Sequence, residues 1–281
     1  MNFIRQCEGR HGRFFYNVND AYVGRSMRLY GEWAEAEVHL LGQIVQPGDV
    51  VLEAGANMGA HTVALSRLAG PGGQVHAFEP QGPTHQLLCA NLVVNGCVNT
   101  RTYQSALGAA SGWIEMGEPD PQQPNNFGGA SLHVASGRMQ SAPMQTIDSL
   151  SLQRLDLLKA DIEGYEFEML QGAGDTLDRC RPVVFIESVN PYTGDCSEAL
   201  KDYFVRRGYR CWHYITPMFN AQNFDAYPHD EFKGLWSFDM LCVPPERGSV
   251  SGLDDAQLHS AVCELPEQWR SARFDRQSKT D

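Results

Sequence analysis

The chain has 281 residues and a formal net charge of −12. This length is typical of one elaborated domain with a large core, and the ordinary apolar content argues against global disorder. The acidic balance argues against a broad nucleic-acid surface, which would need clustered lysine and arginine. We therefore expect no nucleic-acid partner.

Features of cellular location are equally plain in the sequence. No uninterrupted apolar run reaches the length of a transmembrane helix, and the first ten residues lack the apolar core of a secretory signal. The eight cysteines are scattered without a C-x-x-C pair, which is typical of reduced thiols. We expect a cytoplasmic protein with no membrane partner.

Hydrophobic periodicity predicts an alternation of strands and helices. A small hairpin is expected over residues 13–28, followed by a helix over 32–45. Strands are predicted at 49–54, 74–79, 100–107, 155–160 and 182–187. Helices are predicted at 58–69, 81–95, 165–177 and 196–207. Two closing strands, at 209–215 and 237–243, have no convincing helix between them and should pair antiparallel.

This alternation predicts an α/β fold with right-handed crossovers. The expected sheet has seven strands, mostly parallel, with an antiparallel edge strand. We divide the chain into a hairpin-and-helix extension (1–47), a main domain (48–245) and a carboxyl-terminal tail (246–281) with a short helix near 254–263. Between 108 and 141 the periodicity fails, and this Pro-, Asn- and Gly-rich segment is interpreted as a lid over a site or as a mobile solvent loop.

The most informative motif is the glycine turn VVLEAGANMG, from Val50 to Gly59. Gly55 and Gly59 permit a sharp turn and a close approach to a ligand because they lack a Cβ. The order is not the dinucleotide fingerprint G-x-G-x-x-G, and Glu53 at the strand end would repel a pyrophosphate. A cationic ligand tail suits that acid, and S-adenosylmethionine carries both an ammonium and a sulfonium. The alternative is a turn whose glycines serve packing alone.

Glu79 ends the next predicted strand, in HAFEP. It lies roughly 20–25 residues after the turn, the spacing at which an acid reaches ribose hydroxyls in doubly wound folds. Together with the turn it predicts a nucleoside site at the carboxyl edge of the sheet.

A second dense block, LDLLKADIEGYEFEML, places Asp161 and Glu163 at the end of a later strand. One carboxylate could act as a general base on a substrate hydroxyl. Alternatively, Asp161 and Glu187 could hold a divalent cation. In the third interpretation Asp161 pairs with Lys159, whose ammonium snorkels to solvent, while Glu163 only favours the helix dipole.

At this point the residues resemble the FkbM-type methyltransferases, over roughly residues 47–188. The resemblance rests on LEAGANMGAHTVALS, HAFEP, QSALG, TIDSL and LLKADIEGYEFEMLQGA. It implies a Rossmann-like class I methyltransferase fold that uses S-adenosylmethionine. Family members usually carry Asp where this chain has Glu53.

The resemblance also implies roles for individual residues. The turn residues would surround the methionine portion, Glu79 the ribose, and Ser105 and Ala106 the adenine. Asp161 would face the amino group or the reacting centre. The full predicted cofactor-binding set is Glu53, Gly55, Ala56, Asn57, Gly59, Thr62, Glu79, Pro80, Ser105, Ala106 and Asp161.

The predicted activity is O-methylation of a hydroxyl on a small sugar or secondary-metabolite acceptor, with Asp161 or Glu163 as the catalytic base. N- or carboxyl-methylation and a non-catalytic cofactor-binding protein are the alternatives. The sequence leaves the acceptor, the use of a divalent cation and the oligomeric state open, and it permits a homodimer.

Overall fold

The fold is described from a computed structural model. The structure describes residues 3–129, 138–188, 196–233, 235–253 and 270–277. The helix predicted near 254–263 lies outside these residues.

The amino-terminal extension contains two strands and two helices. They are β1 (Ile4–Gly9), β2 (Gly12–Asn17), α1 (Val23–Tyr30) and α2 (Glu35–Ile44). The helix predicted over residues 32–45 is confirmed as α2. The hairpin lies earlier than predicted, and the residues assigned to its second half form α1, because Val23, Met27 and Tyr30 share one buried helical face.

The alternating elements follow the predicted order. The strands are β3 (Val50–Ala54), β4 (Gln74–Phe78), β5 (Thr100–Tyr103), β6 (Ala106–Leu107), β7 (Gly112–Glu118), β8 (Arg138–Gln145), β9 (Leu157–Ala160), β10 (Val183–Glu187), β11 (Arg210–Pro217) and β12 (Trp236–Val243). The helices are α3 (Ala60–Ala69), α4 (Gly82–Val94), α5 (Glu166–Gln171), α6 (Gly174–Cys180) and α7 (Cys196–Val205). One predicted helix is therefore two, α5 and α6, and one predicted strand is divided into β5 and β6.

Seven strands form the central sheet in the order β11-β12-β10-β9-β3-β4-β5. The five strands from β10 to β5 are parallel. Strand β12 pairs antiparallel with β10 and with the edge strand β11, as the two closing strands were predicted to do. The seven-stranded, mostly parallel α/β sheet is confirmed. Its antiparallel strand is β12, one place in from the edge, and the edge strand β11 runs in the same direction as β10, so the prediction of an antiparallel edge strand was wrong.

Both faces of this sheet are covered, so most residues of its central strands are apolar. Leu52, Leu158 and Val184 point to one face and pack against α5, α6 and α7. Val51, Leu157 and Phe185 point to the other face and pack against α2 and α3. Helix α2 of the extension is therefore part of the layer that covers the sheet.

The segment expected to lack structure is partly ordered. Strands β7 and β8 pair antiparallel, and β8 pairs with β6 in a separate three-stranded sheet. The prediction of a structureless 108–141 loop was wrong for β7 and for the start of β8, because β7 and β8 satisfy each other's backbone groups across a large sequence gap.

The described carboxyl-terminal residues form a further antiparallel pair, β13 (Gly248–Ser251) and β14 (Arg273–Arg276). Phe274 of β14 packs with the α2 side of the core. The Arg276 guanidinium contacts the buried Asp49 carboxylate at 2.6 and 3.0 Å. These contacts attach the end of the described chain to the entrance of β3.

Candidate functional site

Two adjoining cavities lie at the carboxyl edge of the parallel strands. The larger has a volume of about 610 Å³, and the smaller about 40 Å³. Five residues line both cavities, which makes them two parts of one cleft: Gly55, Glu79, Gly128, Asp161 and Glu163. This is the edge at which open α/β sheets bind their ligands.

The glycine turn is fixed by contacts with its neighbouring strands. The backbone N–H groups of Gly55 and Ala56 both donate to the Phe78 carbonyl, at 3.0 and 2.9 Å. A Cβ at Gly55 would lie 1.8 Å from the Asp161 carbonyl oxygen, and the Gly55 φ is +82°. Only glycine therefore allows the loops after β3 and β9 to meet, and this meeting brings Asp161 into the cleft.

Glu53 is the penultimate residue of β3 and lines the larger cavity. Its carboxylate accepts a 2.6 Å hydrogen bond from the Thr62 hydroxyl. Burial raises the Glu53 pKa to about 7, against the opposing effect of Lys159. Thr62 and Gly59 belong to the predicted cofactor set but line neither cavity. Thr62 acts by orienting Glu53, and Gly59 by starting α3.

Glu79 is held by the backbone on both oxygens. Oε2 accepts from Asn57 N–H at 3.0 Å and Oε1 accepts from Gln81 N–H at 2.8 Å. Burial raises its pKa to about 7 although these two hydrogen bonds oppose the shift. Each carboxylate oxygen retains a second lone pair, so a rigid acceptor group faces the cleft and fits the two hydroxyls of a ribose.

The smaller cavity has the character of an adenine site. Predicted residues Pro80, Ser105 and Ala106 line it with apolar Leu107 and Met116. The Ser105 hydroxyl is already engaged, because it donates to the carbonyls of Ala106 and Pro143 at 3.0 and 2.9 Å. The side chain of Ser105 shapes the loop, and an apolar slot remains. The lining thus suits an adenine ring by its chemistry, and the slot of about 40 Å³ has to widen to admit the ring.

Lys159 differs from its predicted environment. It is only 1% exposed and lines the larger cavity, so the interpretation of a snorkelling lysine was wrong. Its Nζ lies 3.9 Å from Asp161 and 3.8 Å from Glu37. Burial alone would lower the Lys159 pKa, but Glu37, Asp161, Glu53 and Asp239 together raise it. The ammonium is therefore a permanent charge here.

Glu163 has an unusual backbone. Its φ is +57°, in the left-handed region that non-glycine residues rarely adopt. Burial, followed by the charges of Asp161 and Glu166, raises its pKa to about 8. Such strain in a cleft is characteristic of functional positions.

Glu187 ends β10, next to β9, and lines the larger cavity. One of its carboxyl oxygens is buried without a hydrogen-bond partner. Burial, Asp161 and Glu163 raise its pKa to about 12, so this side chain is a neutral carboxyl near neutral pH. Within the described ranges no group of three or more His, Cys, Asp or Glu side chains is arranged to hold a metal ion. The cation hypothesis for Asp161 and Glu187 gains no support from them.

Part of the segment between β7 and β8 returns over the glycine turn. Asn126, Gly128 and Gly129 line the larger cavity. The Gln81 side chain donates to the Phe127 carbonyl at 2.9 Å, and Asn125 N–H donates to the Asn19 carbonyl at 3.0 Å. These contacts attach the segment to α4 and to the amino-terminal extension.

Several lining residues were not predicted. The extension provides Tyr22, Trp33 and Glu37, and β12 with the residues before it provides Trp236 and Phe238. The four aromatic residues among them belong to no sequence motif, so nothing in the sequence indicates that they line a cavity. Glu37 could have been noticed as an acid at a buried helical position, since both neighbours, Ala36 and Val38, are core residues.

Comparison with known proteins identifies the family. The model of the methyltransferase FkbM domain matches residues 53–211, which is more than half of the chain. The chain therefore belongs to the FkbM family of S-adenosylmethionine-dependent methyltransferases.

Two curated relatives are each 28% identical to the chain. One is the hexuronic acid methyltransferase AglP of Haloferax volcanii, over 183 residues, with 64% of this chain and 72% of AglP covered. The other is the AMB antimetabolite synthetase AmbE of Pseudomonas aeruginosa, over 222 residues, with 64% of this chain covered. The chain spans only 10% of AmbE.

A solved structure, methyltransferase FkbM from Methylobacillus flagellatus, is 16% identical, with a TM-score of 0.47. That similarity covers 69% of this chain and 43% of the other. Separately, no described helix of this chain is long and apolar enough to cross a membrane.

Proposed function

We propose that this protein transfers a methyl group from S-adenosylmethionine to a hydroxyl of a sugar or secondary-metabolite acceptor. The observation that carries this proposal is Glu163, a half-buried carboxyl on a left-handed backbone at the junction of the two cavities. A binding protein without turnover would not need a strained acid at that junction.

The donor determines what the protein must contribute. When bound, S-adenosylmethionine supplies an already activated methyl group. What the chain adds is alignment of the acceptor, exclusion of water and removal of the hydroxyl proton. The adenosyl end is assigned to the small cavity and Glu79, so the acceptor is assigned to the opposite part of the larger cavity.

Glu163 is proposed as the general base and Asp161 as a partner of the cofactor's ammonium. The Asp161 side chain is 41% exposed and lies beside Lys159, which suits a group that meets a charged ligand. A Glu163 pKa of about 8 is close to the value at which a base both is deprotonated in useful amount and accepts a proton effectively. The acceptor hydroxyl would pass its proton to Glu163 as its oxygen bonds to the methyl carbon, while the bond from that carbon to sulfur would break and its electron pair would stay on the sulfur, which leaves neutral S-adenosylhomocysteine.

The acceptor end of the larger cavity is largely built outside the family-matched segment. Tyr22 and Leu235 line this cavity and also an open outer groove of about 840 Å³, so the two spaces adjoin. Aromatic faces beside polar groups suit sugar rings. The name of AglP, a hexuronic acid methyltransferase, supports a sugar acceptor, and that of AmbE, an antimetabolite synthetase, supports a secondary metabolite.

Two measurements test the proposal. Isothermal titration calorimetry should show binding of S-adenosylmethionine, and absence of binding at tens of micromolar would refute the central claim. Mass spectrometry should then detect a gain of one methyl mass when the protein and donor are incubated with a panel of hydroxylated sugars and metabolites. Fragmentation that places the methyl on nitrogen or on a carboxylate would refute transfer to a hydroxyl.

A further inference from the structure

Glu37 reaches the cleft from outside the family-matched segment. It lies on α2 of the amino-terminal extension, is 3% exposed, and lines the larger cavity. Its Oε2 lies 3.8 Å from Lys159 Nζ and 3.9 Å from His61 Nδ1. A buried carboxylate in this position is costly unless it compensates another charge.

The Lys159 ammonium lies between Glu37 and Asp161 at nearly equal distances, 3.8 and 3.9 Å. Both distances exceed that of a hydrogen bond. The charged and titratable groups that face this ammonium come from four elements and one loop: Glu37 of α2, Glu53 of β3, His61 of α3, Asp161 after β9 and Asp239 of β12. Burial and Lys159 hold the His61 pKa well below its usual range, so His61 adds no positive charge.

Four acidic side chains therefore face one ammonium. Burial raises the pKa of Glu37 and of Glu53 to about 7 and that of Asp239 well above its usual range, so the affinities that test Glu37 are measured above about pH 7, where its carboxylate is charged. Glu53 and Asp161 lie at the cofactor end of the cavity, whereas Glu37 approaches from the α2 side. If Glu37 were uncharged, Lys159 would be balanced by Glu53 and Asp161 alone. Those two carboxylates would then attract a cationic ligand less strongly.

We propose that Glu37 is a positioning residue that sets the charge selectivity of the cofactor site, by sharing the Lys159 ammonium with Asp161 and so leaving Glu53 and Asp161 more available to cationic ligands. The site then distinguishes S-adenosylmethionine, whose sulfur is positively charged, from S-adenosylhomocysteine, whose sulfur is neutral. The inference rests on the proposed function for the identity of the ligand pair, and it adds a means of releasing the product.

The test is calorimetric and needs no acceptor. Affinities for S-adenosylmethionine, S-adenosylhomocysteine and sinefungin, which carries a protonated amine in place of the sulfonium, are measured for the whole protein and for Glu37→Gln. The matched control is Glu35→Gln, since Glu35 lies on the same helix, pairs with His11 and Arg10, and lines neither cavity.

Glu37→Gln should weaken binding of the two cationic ligands roughly 5- to 20-fold, the effect of one charge at about 10 Å in an intermediate dielectric. Binding of S-adenosylhomocysteine should change less than about twofold, and Glu35→Gln should leave all three affinities unchanged. Equal weakening of charged and neutral ligands, or no weakening, would overturn the inference.

Glu37→Ala also removes the Glu37 carboxylate. It should lower the same affinity ratio, and it provides the test if Glu37→Gln does not fold. If the unaltered protein binds none of the three ligands, the proposed function itself fails. A failure confined to the variants overturns only the role of Glu37.

Discussion

Glu79 Oε2 accepts a 3.0 Å hydrogen bond from the backbone N–H of Asn57, and this bond joins the loops that follow β3 and β4. The two residues are separated by a whole crossover helix, yet they form adjacent parts of one cleft. The carboxylate that is proposed to bind the ribose therefore also holds the glycine turn in place.

Replacing Glu79 with Ala should weaken S-adenosylmethionine binding by about 1–3 kcal/mol, because buried hydrogen bonds to the ribose and to the turn are lost together. This corresponds to a change of roughly five- to 150-fold in affinity. Calorimetry provides the measurement, and the exposed Glu115 on β7 provides the control, Glu115→Ala. Unchanged affinity in the Glu79 variant would remove this residue from the site.

Glu163→Gln should lower the rate of methyl transfer by roughly 10²–10⁴-fold, the usual contribution of a general base, while cofactor affinity changes little. In the unaltered protein, activity should rise with pH through a value near 8, because burial, Asp161 and Glu166 raise the Glu163 pKa to about 8 and the base acts deprotonated. The pH–rate profile of the acceptor identified by mass spectrometry is the measurement. Full activity in Glu163→Gln would reject this assignment.

The backbone of Glu163 permits a separate stability prediction. At a φ of +57° a residue with a Cβ is strained by about 1–2 kcal/mol relative to glycine. Glu163→Gly should therefore unfold with a free energy about 1 kcal/mol higher than Glu163→Ala. Urea denaturation of the two variants measures this difference, and the reverse order would contradict a left-handed backbone at this position.

The acidic cleft should make the stability of the ligand-free protein decrease with pH. The pKa values of Glu53 and Glu79 are raised from 4.5 to about 7 by burial. The folded state thus holds protons that the unfolded chain releases above about pH 4.5. The stabilising contribution is complete below that value and is lost as the pH rises through about 7.

Thermal unfolding between pH 5 and 9 tests this expectation, with and without S-adenosylmethionine. A cationic ligand should restore part of the loss at high pH because it binds the ionised carboxylates. A melting temperature that rose steadily across this interval in the free protein would contradict the burial of these acids.

Asn91 connects the amino-terminal extension to the main domain. It is fully buried, and its amide makes three hydrogen bonds, with both backbone groups of Phe15 and with the Met58 carbonyl, at 2.6–3.0 Å. Asn91→Ala should cost about 2–4 kcal/mol of unfolding free energy, since the buried backbone groups lose their partners.

Asn95 offers a matched comparison. It makes similar bonds to the backbone of Arg13, at 3.0 and 2.7 Å, but in an exposed setting. Asn95→Ala should cost at most about 1 kcal/mol, because water can replace the amide there. Equal losses of unfolding free energy in the two variants would show that burial does not determine how much these hydrogen bonds contribute.

The positions of several cleft residues could be predicted from their spacing in the sequence. Glu53, Gly55, Asn57, Glu79 and Asp161 all line the cleft, because each lies at or just after the carboxyl end of a parallel strand and such strand ends meet at one edge. Thr62 and Gly59 were placed correctly along the chain but support the cleft from behind. The position of a residue in the sequence does not distinguish a side chain that faces the ligand from one that orients a neighbouring side chain.

The far wall of the cleft could not be predicted in this way. His213 and Tyr214 are polar aromatic residues of β11, yet neither lines a cavity of the cleft. The Tyr214 hydroxyl instead donates to the Ala36 carbonyl at 2.6 Å. The antiparallel pairing of β11 with β12 decides this outcome, since it places Trp236 and Phe238 beside the cavity.

By itself, the sequence determined the alternation of strands and helices, the glycine turn and the acids at the strand ends, because these depend on the order of nearby residues. Only the tertiary structure decided the environment of Lys159. The packing of α2 against the sheet brings Glu37 within 3.8 Å of that ammonium, and a contact between residues so distant in the chain depends on which helix covers the sheet. The charge balance of the cleft is therefore a property of the folded molecule.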